Sequence, residues 1–325
     1  MPLTTRLCIS LCAALLLCAG AGAGAQEWPT RTQTVINPFS AGTTTDAVAR
    51  VVAQGLQKKY GQSFVVEARP GAGGMIGAAA VARGRPDGSL FGVSIAGPLV
   101  HNTLLYRSMP YDPVRDLTPL TLGVHQPCLM IVSKALGVAT LPQLVDLLAR
   151  NPGRFNYAFV GNGSLSHLVM AMLANKSGTE IVPVLYPGAV QAALAVMAGD
   201  VQMGCLPAQA TIAQVRAGTV VPIAVSTAER ARLLPEVPAL REFYPELVGS
   251  AWIGFVAPAG IPAELAQRMS AAIGEVLRQP QVVEQLRQQF MEPAAGTPDD
   301  FRAFMREELA RWKPVIEHNR ISVDR

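Results

Sequence analysis

The sequence predicts an α/β protein built of two lobes. Short apolar runs alternate along the chain with stretches of helical periodicity, a pattern typical of a largely parallel sheet covered by helices. The 325 residues suffice for two domains. Because neither a repeat nor a biased linker divides the chain, we expect the lobes to be joined by crossing strands rather than by a flexible tether.

The N-terminal part predicts three strands and two helices. The strands are Thr34–Pro38, Phe64–Glu67 and Leu90–Ile95. The first helical period ends near Tyr60-Gly61, and an Ala-rich helix runs from the Gly71–Gly74 turn to about Arg83. Each helix follows a strand, as in a parallel α/β unit.

A second block of the same alternation begins near Leu120. Its predicted strands are Cys128–Ser133, Asn156–Val160, Ile181–Tyr186, Val201–Leu206 and Val221–Ser226, and its helices are Leu141–Arg150, Ser166–Asn175 and Gly188–Ala198.

The C-terminal part is more helical. Helical periodicity covers Ala263–Leu277 and Gln281–Gln289, and a last helix opens at Thr297 with Pro298 in its first turn.

The N-terminus predicts a cleaved signal peptide and therefore an exported protein. Arg6 precedes the apolar run Leu7–Cys18, and Ala23-Gly24-Ala25 supplies the small residues of a cleavage site after Ala25. A retained membrane anchor is disfavoured, since the run is shorter than the ~20 residues of a spanning helix. A lipoprotein is disfavoured because Leu precedes both Cys12 and Cys18.

Two cysteines remain after this cleavage. Cys128 and Cys205 both lie in apolar, strand-like segments. They can be two small buried hydrophobic residues, or a single disulfide between neighbouring strands, and the sequence leaves both alternatives open.

The usual signatures of enzymes, cofactors and nucleic-acid binding are absent from the sequence. The formal charge of +4 is not concentrated in a basic run, so we expect no nucleic acid. The four histidines lack metal-ligand spacing, and the glycines of Gly71–Gly77 do not match a dinucleotide motif. Neither a metal nor a cofactor is expected. One hydrolase-like feature remains, because Gly92-Val93-Ser94-Ile95-Ala96 resembles a nucleophile elbow.

Three turns between a strand and a helix are rich in Gly, Ser and Thr. They are Pro38–Asp46, Gly161–His167 and Tyr186–Ala189. The free N–H groups of a helix N-terminus bind a carboxylate without a cationic side chain, and ligands of open α/β sheets bind beyond the carboxyl ends of strands. In the first turn a capping box of Thr43 with Asp46 is the alternative. The hypothesis is capture of a small anion rather than catalysis on it.

The ordered set of short motifs resembles a known family. It includes Trp28-Pro29-Thr30, Glu67–Gly74, Pro86-Asp87-Gly88, Pro110-Tyr111-Asp112-Pro113, Asn156-Tyr157-Ala158, Gly161–Leu168, Ala257–Gly260 and Trp312 with Ile316. In this order the chain is similar to the Bug or TctC family, the periplasmic solute-binding proteins of tripartite tricarboxylate transporters.

The resemblance implies a two-lobed periplasmic binding protein fold of type II, a Venus flytrap with crossing hinge strands. It implies one lobe from residues 26–124 and 228–325, a second from residues 125–227, and a small carboxylate between them. The implied ligand-binding residues are Phe39, Ser40, Ala41, Gly42, Thr43, Thr44, Thr45, Asp46, Ser94, Ala96, Gly97, Gly161, Asn162, Gly163, Ser164, Ser166, His167, Tyr186, Gly188 and Ala189.

Because the chain departs from the family pattern at several positions, the resemblance does not determine the identity of the ligand. Gly42-Thr43 stands where Gly-Gly is common, and Pro187 stands where a Lys is usual. Gln202 and Leu206 occupy a segment that often carries Asp. With fewer acids the cleft is less suited to an ammonium group, for which Asp46 is the remaining candidate.

We therefore expect a non-enzymatic, monomeric receptor that delivers an organic acid to the membrane subunits of a transporter. A ligand-sensing partner of a membrane sensor kinase would have the same fold. A secreted hydrolase would lose its turnover with Ser94→Ala or Ser164→Ala.

Overall fold

The computed structural model describes residues 28–318 together with residues 321 and 323. The predicted signal peptide, with its cleavage after Ala25, lies outside the described residues. The strands described are β1 (Gln33–Asn37), β2 (Phe64–Ala68), β3 (Leu90–Ile95), β4 (Leu117–Gln126), β5 (Cys128–Ser133), β6 (Asn156–Phe159), β7 (Val182–Leu185), β8 (Met203–Pro207), β9 (Val220–Val225), β10 (Ala251–Pro258) and β11 (Glu292–Pro293).

The helices follow the predicted alternation closely. They are α1 (Thr44–Tyr60), α2 (Met75–Ala82), α3 (Asn102–Leu105), α4 (Leu141–Ala149), α5 (Leu165–Ser177), α6 (Ala189–Ala198), α7 (Ala208–Arg216), α8 (Ala263–Leu277), α9 (Pro280–Arg287) and α10 (Pro298–His318). The predicted cap of α10 is confirmed, because Thr297 Oγ1 accepts from the N–H of Asp300 at 3.1 Å.

Two separate sheets confirm the two-lobed α/β fold. The first has the order β11-β4-β10-β3-β1-β2 and the second β7-β6-β8-β5-β9. Both are mixed, so the expectation of largely parallel sheets is wrong. Parallel pairing is confined to β1 with β2 and β3, and to β6 with β7 and β8. The strands nearest the crossings, β4, β5, β9 and β10, pair antiparallel, because the chain enters and leaves each lobe there.

The lobes are joined by crossing strands, as predicted. β4 of the first sheet becomes β5 of the second through the single residue Pro127. Ser226, just after β9, ties this crossing to the returning chain. Its Oγ accepts from the N–H of Cys128 at 3.0 Å and donates to the carbonyl of Gly249 at 2.8 Å. The connection is thus a pair of hydrogen-bonded segments rather than a tether.

The returning segment packs on the second lobe. Leu234, Val237, Leu240 and Leu247 are buried in the apolar clusters of the second sheet. We therefore propose that the first lobe resumes near Ser250, rather than at residue 228. The last helix bridges both cores, with Phe301 and Met305 on the first side and Trp312 and Ile316 on the second.

Cys128 and Cys205 are free thiols in this structure, on the adjacent strands β5 and β8. Contact with the Cys128 thiol and burial both raise the pKa of the Cys205 thiol. The pair therefore packs as small neutral side chains.

Candidate functional site

The N-termini of helices from both lobes meet at one pocket between the sheets. Its cavity volume is about 40 Å³, so the facing helix ends leave little free space between them in this structure. It lies at the beginnings of α1, α5 and α6, where each helix leaves N–H groups unpaired. The lining residues are Phe39, Thr43, Thr44, Thr45, Ile95, Ala96, Gln126, Cys128, Val160, Ser164, Leu165, Ser166, Gly188, Ala189, Pro207, Ala251 and Trp252.

The first turn leaves the N-terminus of α1 uncapped because its polar side chains form hydrogen bonds with the preceding loop instead of with the first N–H groups of the helix. Gly42 has φ 80°, and this left-handed residue brings its N–H to Asp46 Oδ2 at 2.9 Å. Thr43 Oγ1 donates to the carbonyl of Ser40 at 2.8 Å, and Thr45 Oγ1 donates to Asn37 Oδ1 at 2.8 Å. These bonds stabilise the loop and leave the helix end unoccupied.

The alternative of a capping box in this turn is wrong. The Thr43 side chain makes no cap hydrogen bond to α1, and the Asp46 carboxylate serves Gly42, Asn37 and Arg50 instead. Within the described residues, the N–H groups of Thr44, Thr45 and Asp46 have no acceptor. Three converging donors are therefore available at this helix end.

The second turn caps its own helix. Ser164 Oγ accepts from the N–H of His167 at 3.3 Å, and it also contacts Ser166 Oγ at 2.8 Å. Ser166 Oγ in turn accepts from the N–H of Val160 at 3.2 Å. The N–H groups of Leu165 and Ser166 have no acceptor in the described part of the chain. This end thus offers two main-chain donors to the pocket.

Gly163 in the same turn is held by two buried imidazoles. His101 Nδ1 lies 2.6 Å from the carbonyl of Gly163, and the N–H of Gly163 donates to His167 Nδ1 at 3.3 Å. Burial lowers the pKa of each imidazole to about 4. Both rings are therefore neutral at ordinary pH and fix the turn without adding charge to the pocket.

The third turn brings the two lobes into contact. Gly188 precedes α6, and a Cβ placed there would lie 2.7 Å from Thr43 Cγ2 of the first turn. Only a residue without a side chain permits this approach. The structure therefore shows the pocket with its two sides closed against each other.

The structure brings part of the predicted residue set to the pocket. The predicted residues that line it are Phe39, Thr43, Thr44, Thr45, Ala96, Ser164, Ser166, Gly188 and Ala189. The other predicted residues do not line it. Ser94 is buried in β3, and the back of the first turn is formed by Ser40, Ala41, Gly42 and Asp46. The residues that pack behind the second turn are Gly97, Gly161, Asn162, Gly163 and His167. Tyr186 lines a neighbouring cavity together with Phe39 and the Gly71–Gly74 turn.

Two functional suggestions lose their structural basis here. Asp46 does not line the pocket, and its carboxylate accepts from Asn37, Gly42 and Arg50, so it is not placed to bind a ligand ammonium. Ser94 Oγ is buried without a partner, so it lacks the adjacent base that a hydrolase nucleophile requires. Among the residues that the structure describes, no Asp, Glu, Lys, Arg or His lines the pocket, and its walls are formed by residues such as Phe39, Ile95, Val160 and Trp252.

Four residues at the crossing strands line the pocket although the sequence patterns did not identify them. Gln126, Cys128, Ala251 and Trp252 lie at the end of β4 and at the starts of β5 and β10. A signal for them was present, since crossing strands join the lobes at the base of the cleft and their terminal residues must face it. The Gly, Ser and Thr content of strand-to-helix turns carries no information about these positions.

Comparison with known proteins decides the family. The model of the tripartite tricarboxylate transporter family receptor, TctC, matches residues 48–321. The chain belongs to the TctC family. Protein BugT of Bordetella pertussis is 32% identical over 294 residues, which is 90% of each chain.

Two solved structures that share the fold of this chain hold small carboxylates. The R. palustris protein Rpa4515 with adipate has a TM-score of 0.87 and 33% identity, over 90% of this chain and 98% of that one. MatC from Rhodopseudomonas palustris with bound malate has a TM-score of 0.84 and 29% identity, over 89% of this chain and all of the other. TctC proteins are periplasmic solute-binding receptors rather than enzymes.

Two further findings concern the described residues only. Among them, no helix has the length and apolar character needed to cross a membrane. They also contain no group of three or more His, Cys, Asp or Glu side chains suited to a metal ion.

Proposed function

We propose that this TctC protein captures a small organic carboxylate in the pocket between its lobes and delivers it to the membrane subunits of a tripartite tricarboxylate transporter. The observation that supports this best is the set of unpaired main-chain donors, at Thr44, Thr45 and Asp46 from one lobe and at Leu165 and Ser166 from the other. Aligned helix dipoles add to the attraction for an anion.

The donor set is sufficient for useful affinity. A micromolar complex requires about 8 kcal/mol. Hydrogen bonds to a charged group contribute about 1.5–3 kcal/mol each, and a few of them offset the cost of ordering the ligand. Because no charged side chain of the described residues lines the pocket, a ligand carboxylate does not compete with protein carboxylates for these donors. The apolar walls favour a carbon skeleton over a second strongly hydrated group.

The same proposal includes export. We propose cleavage of the signal peptide after Ala25, which would place the pocket in the periplasm with its family relatives. N-terminal sequencing of the protein recovered from the periplasm tests this, and a chain that still begins at Met1 would contradict it.

Binding is tested by thermal-shift screening of organic acids, followed by calorimetry. We expect at least one small monocarboxylic or dicarboxylic acid to raise Tm and to bind with micromolar affinity or better. Failure of every acid to bind would overturn the proposed function. A purified sample incubated with simple esters and amides serves as the control, and we expect no turnover.

A further inference from the structure

A second cavity lies beside the ligand pocket, and it is also formed by both lobes. Its volume is about 230 Å³. The Gly71–Gly74 turn, which follows β2 of the first sheet, forms one wall. Leu185, Tyr186 and Pro187, at the end of β7 of the second sheet, form the opposite wall. We refer to this space as the side cavity.

Two side chains line both the ligand pocket and the side cavity. They are Phe39 and Val160, each less than a tenth exposed. The Phe39 ring extends to the glycine turn, since a Cβ placed on Gly74 would lie 3.0 Å from Phe39 Cζ. The third turn also continues from one space to the other, because Pro187 lines the side cavity and Gly188 lines the pocket. The two spaces are therefore neighbours, and a ligand in the pocket reaches the side cavity by passing between Phe39 and Val160.

The ligand pocket itself has room for little more than a carboxylate group. Its volume of about 40 Å³ corresponds to roughly three water molecules, at about 10–15 Å³ for each. The unpaired N–H groups at the starts of α1 and α5 favour a carboxylate in this space. With the lobes in this arrangement, the carbon skeleton of an acid longer than acetate must extend beyond the pocket. The side cavity is a larger space that adjoins it.

The side cavity has apolar walls. Phe39, Val160, Leu185, Tyr186 and Pro187 contribute aromatic or aliphatic surface, and the glycine turn contributes main chain. Within the part of the chain that the structure describes, no charged side chain lines it. Removing one methylene group from water into such surroundings tightens binding about fourfold. The side cavity therefore favours the hydrocarbon part of a ligand.

We propose that the side cavity is the subsite for the carbon skeleton of the ligand, and that the protein binds carboxylic acids with an extended apolar or aromatic body, of the size of hexanoate or phenylacetate. This inference rests on the proposed function and names the class of its ligand. The helix ends bind the carboxylate, which every acid shares. The side cavity distinguishes acids by the size of their apolar part.

Calorimetry with monocarboxylic acids on the full chain without the predicted signal peptide tests this subsite. The probes are acetate, butanoate and hexanoate, with phenylacetate as the aromatic counterpart, and weak binders are measured by competition with the tightest one. We expect affinity to rise with chain length, so that hexanoate binds at least about thirtyfold more tightly than acetate. Phenylacetate should also bind more tightly than acetate.

Two alanine substitutions on β7 separate a contact in the side cavity from a general effect of the strand. Leu185 lines the cavity and Val182 does not, although their exposed fractions are similar, 47% and 44%. We expect Leu185→Ala to lower the ratio of hexanoate affinity to acetate affinity by at least about threefold. Val182→Ala should leave this ratio unchanged. Because both side chains are half-exposed, we expect little change in the Tm of the ligand-free protein for either variant.

The position of the far end of the ligand provides an independent test. In a crystal of the complex with 6-bromohexanoate, anomalous scattering locates the bromine atom. We expect the bromine between the Gly71–Gly74 turn and the side chains of Leu185 and Tyr186. A bromine at the base of the pocket, near Gln126 and Trp252, would overturn the subsite.

Failure of the subsite can be distinguished from failure of the proposed function. If acids bind but their affinity does not depend on the apolar part, or if Leu185→Ala and Val182→Ala have equal effects on the ratio, the subsite is wrong and the proposed function stands. If no acid binds, both are wrong.

Discussion

The helix ends on the two sides of the pocket both leave main-chain N–H groups unpaired, but their polar side chains are used differently. At α1 the polar side chains bond back into the preceding loop, so the helix end stays uncapped and a rigid turn presents three donors. At α5 Ser164 caps the helix and two donors remain. The position of the donors at α1 therefore depends on the preceding loop, whereas the position of the donors at α5 depends on the Ser164 cap. Substitutions at the two ends should have different consequences.

The largest effect on stability and affinity is expected for a substitution of Asp46, which holds the turn before α1 in place. Its buried carboxylate bonds Gly42, Asn37 and Arg50. Asp46→Ala removes all three bonds and frees the turn, so we expect a loss of about 2–4 kcal/mol in the free energy of unfolding and a more than tenfold loss of ligand affinity. Chemical denaturation and calorimetry measure the two quantities.

Asp146 provides the matched control for Asp46. Asp146 lies on α4 and forms an ion pair of the same i,i+4 spacing with Arg150, the residue that follows the helix, but its side chain is 59% exposed. We expect Asp146→Ala to change the free energy of unfolding by less than about 0.5 kcal/mol and to leave affinity unchanged. Equal effects of the two substitutions would contradict the special role of Asp46.

Acidic pH should lower the free energy of unfolding through the two imidazoles that hold the turn before α5. Burial lowers the pKa of His101 and His167 from 6.5 to about 4. Between these values the unfolded chain binds more protons than the folded one, so stability is complete above pH 6.5 and falls as the pH decreases toward 4. The loss amounts to about 3 kcal/mol for each imidazole at the acidic end of this range.

Thermal unfolding across this pH range tests the acid effect. Replacing each imidazole by the carboxamide of Asn preserves a polar group near each Nδ1 position but removes the titration. We expect the double variant His101→Asn with His167→Asn to show a flatter dependence of Tm on pH. A dependence as steep as that of the wild type would show that other groups are responsible.

A smaller effect is expected where the two sides touch. Gly188→Ala places a Cβ 2.7 Å from Thr43 Cγ2 and 2.7 Å from Gln191 Oε1, and φ of −171° at this position permits Ala. We expect an approximately tenfold loss of affinity with little change in Tm of the ligand-free protein, because the lobes fold normally but close poorly.

Gly178 gives the opposite control. It ends α5 with φ 65° and has open space around it. Gly178→Ala should cost about 1 kcal/mol of stability through backbone strain and leave affinity unchanged. A lower Tm and unchanged affinity for Gly188→Ala would contradict the contact between the lobes.

The smallest effect compares two N-caps. Ser164 caps α5 at the pocket and Thr140 caps α4 away from it, each by accepting from the N–H three residues on. Replacing either by Ala should cost about 1 kcal/mol in the free energy of unfolding. Only Ser164→Ala should also weaken ligand binding, by a few fold. Unchanged affinity would mean that the second end does not hold the ligand.

Helices, strands and one helix cap were predictable where neighbouring residues in the sequence determine them. Apolar periodicity located Ala263–Leu277 and Cys128–Ser133 with the bounds that the structure has, and the cap of the last helix followed from Thr297. The same local pattern left two alternatives open at Thr43, because a Thr three residues before an Asp is compatible with a capping box or with bonds into the loop. The φ of Gly42 decides between them, and sequence does not specify it.

Long-range features were harder to predict. That the segment containing Leu240 and Leu247 returns to the second core, and that Gln126 and Trp252 reach the pocket, depends on how the crossing strands are placed between the lobes. Polar composition of the turns identified part of the lining. The side cavity between Leu185 and the Gly71–Gly74 turn could be recognised only once the two lobes were placed together.

A crystal structure with the tightest-binding acid would show directly whether both helix ends hold the ligand. We predict carboxylate oxygens within about 3 Å of main-chain nitrogens at both ends, Thr44 or Thr45 on one side and Leu165 or Ser166 on the other. A ligand held by charged side chains outside this pocket, or a carboxylate that contacts neither helix end, would contradict capture by main-chain donors.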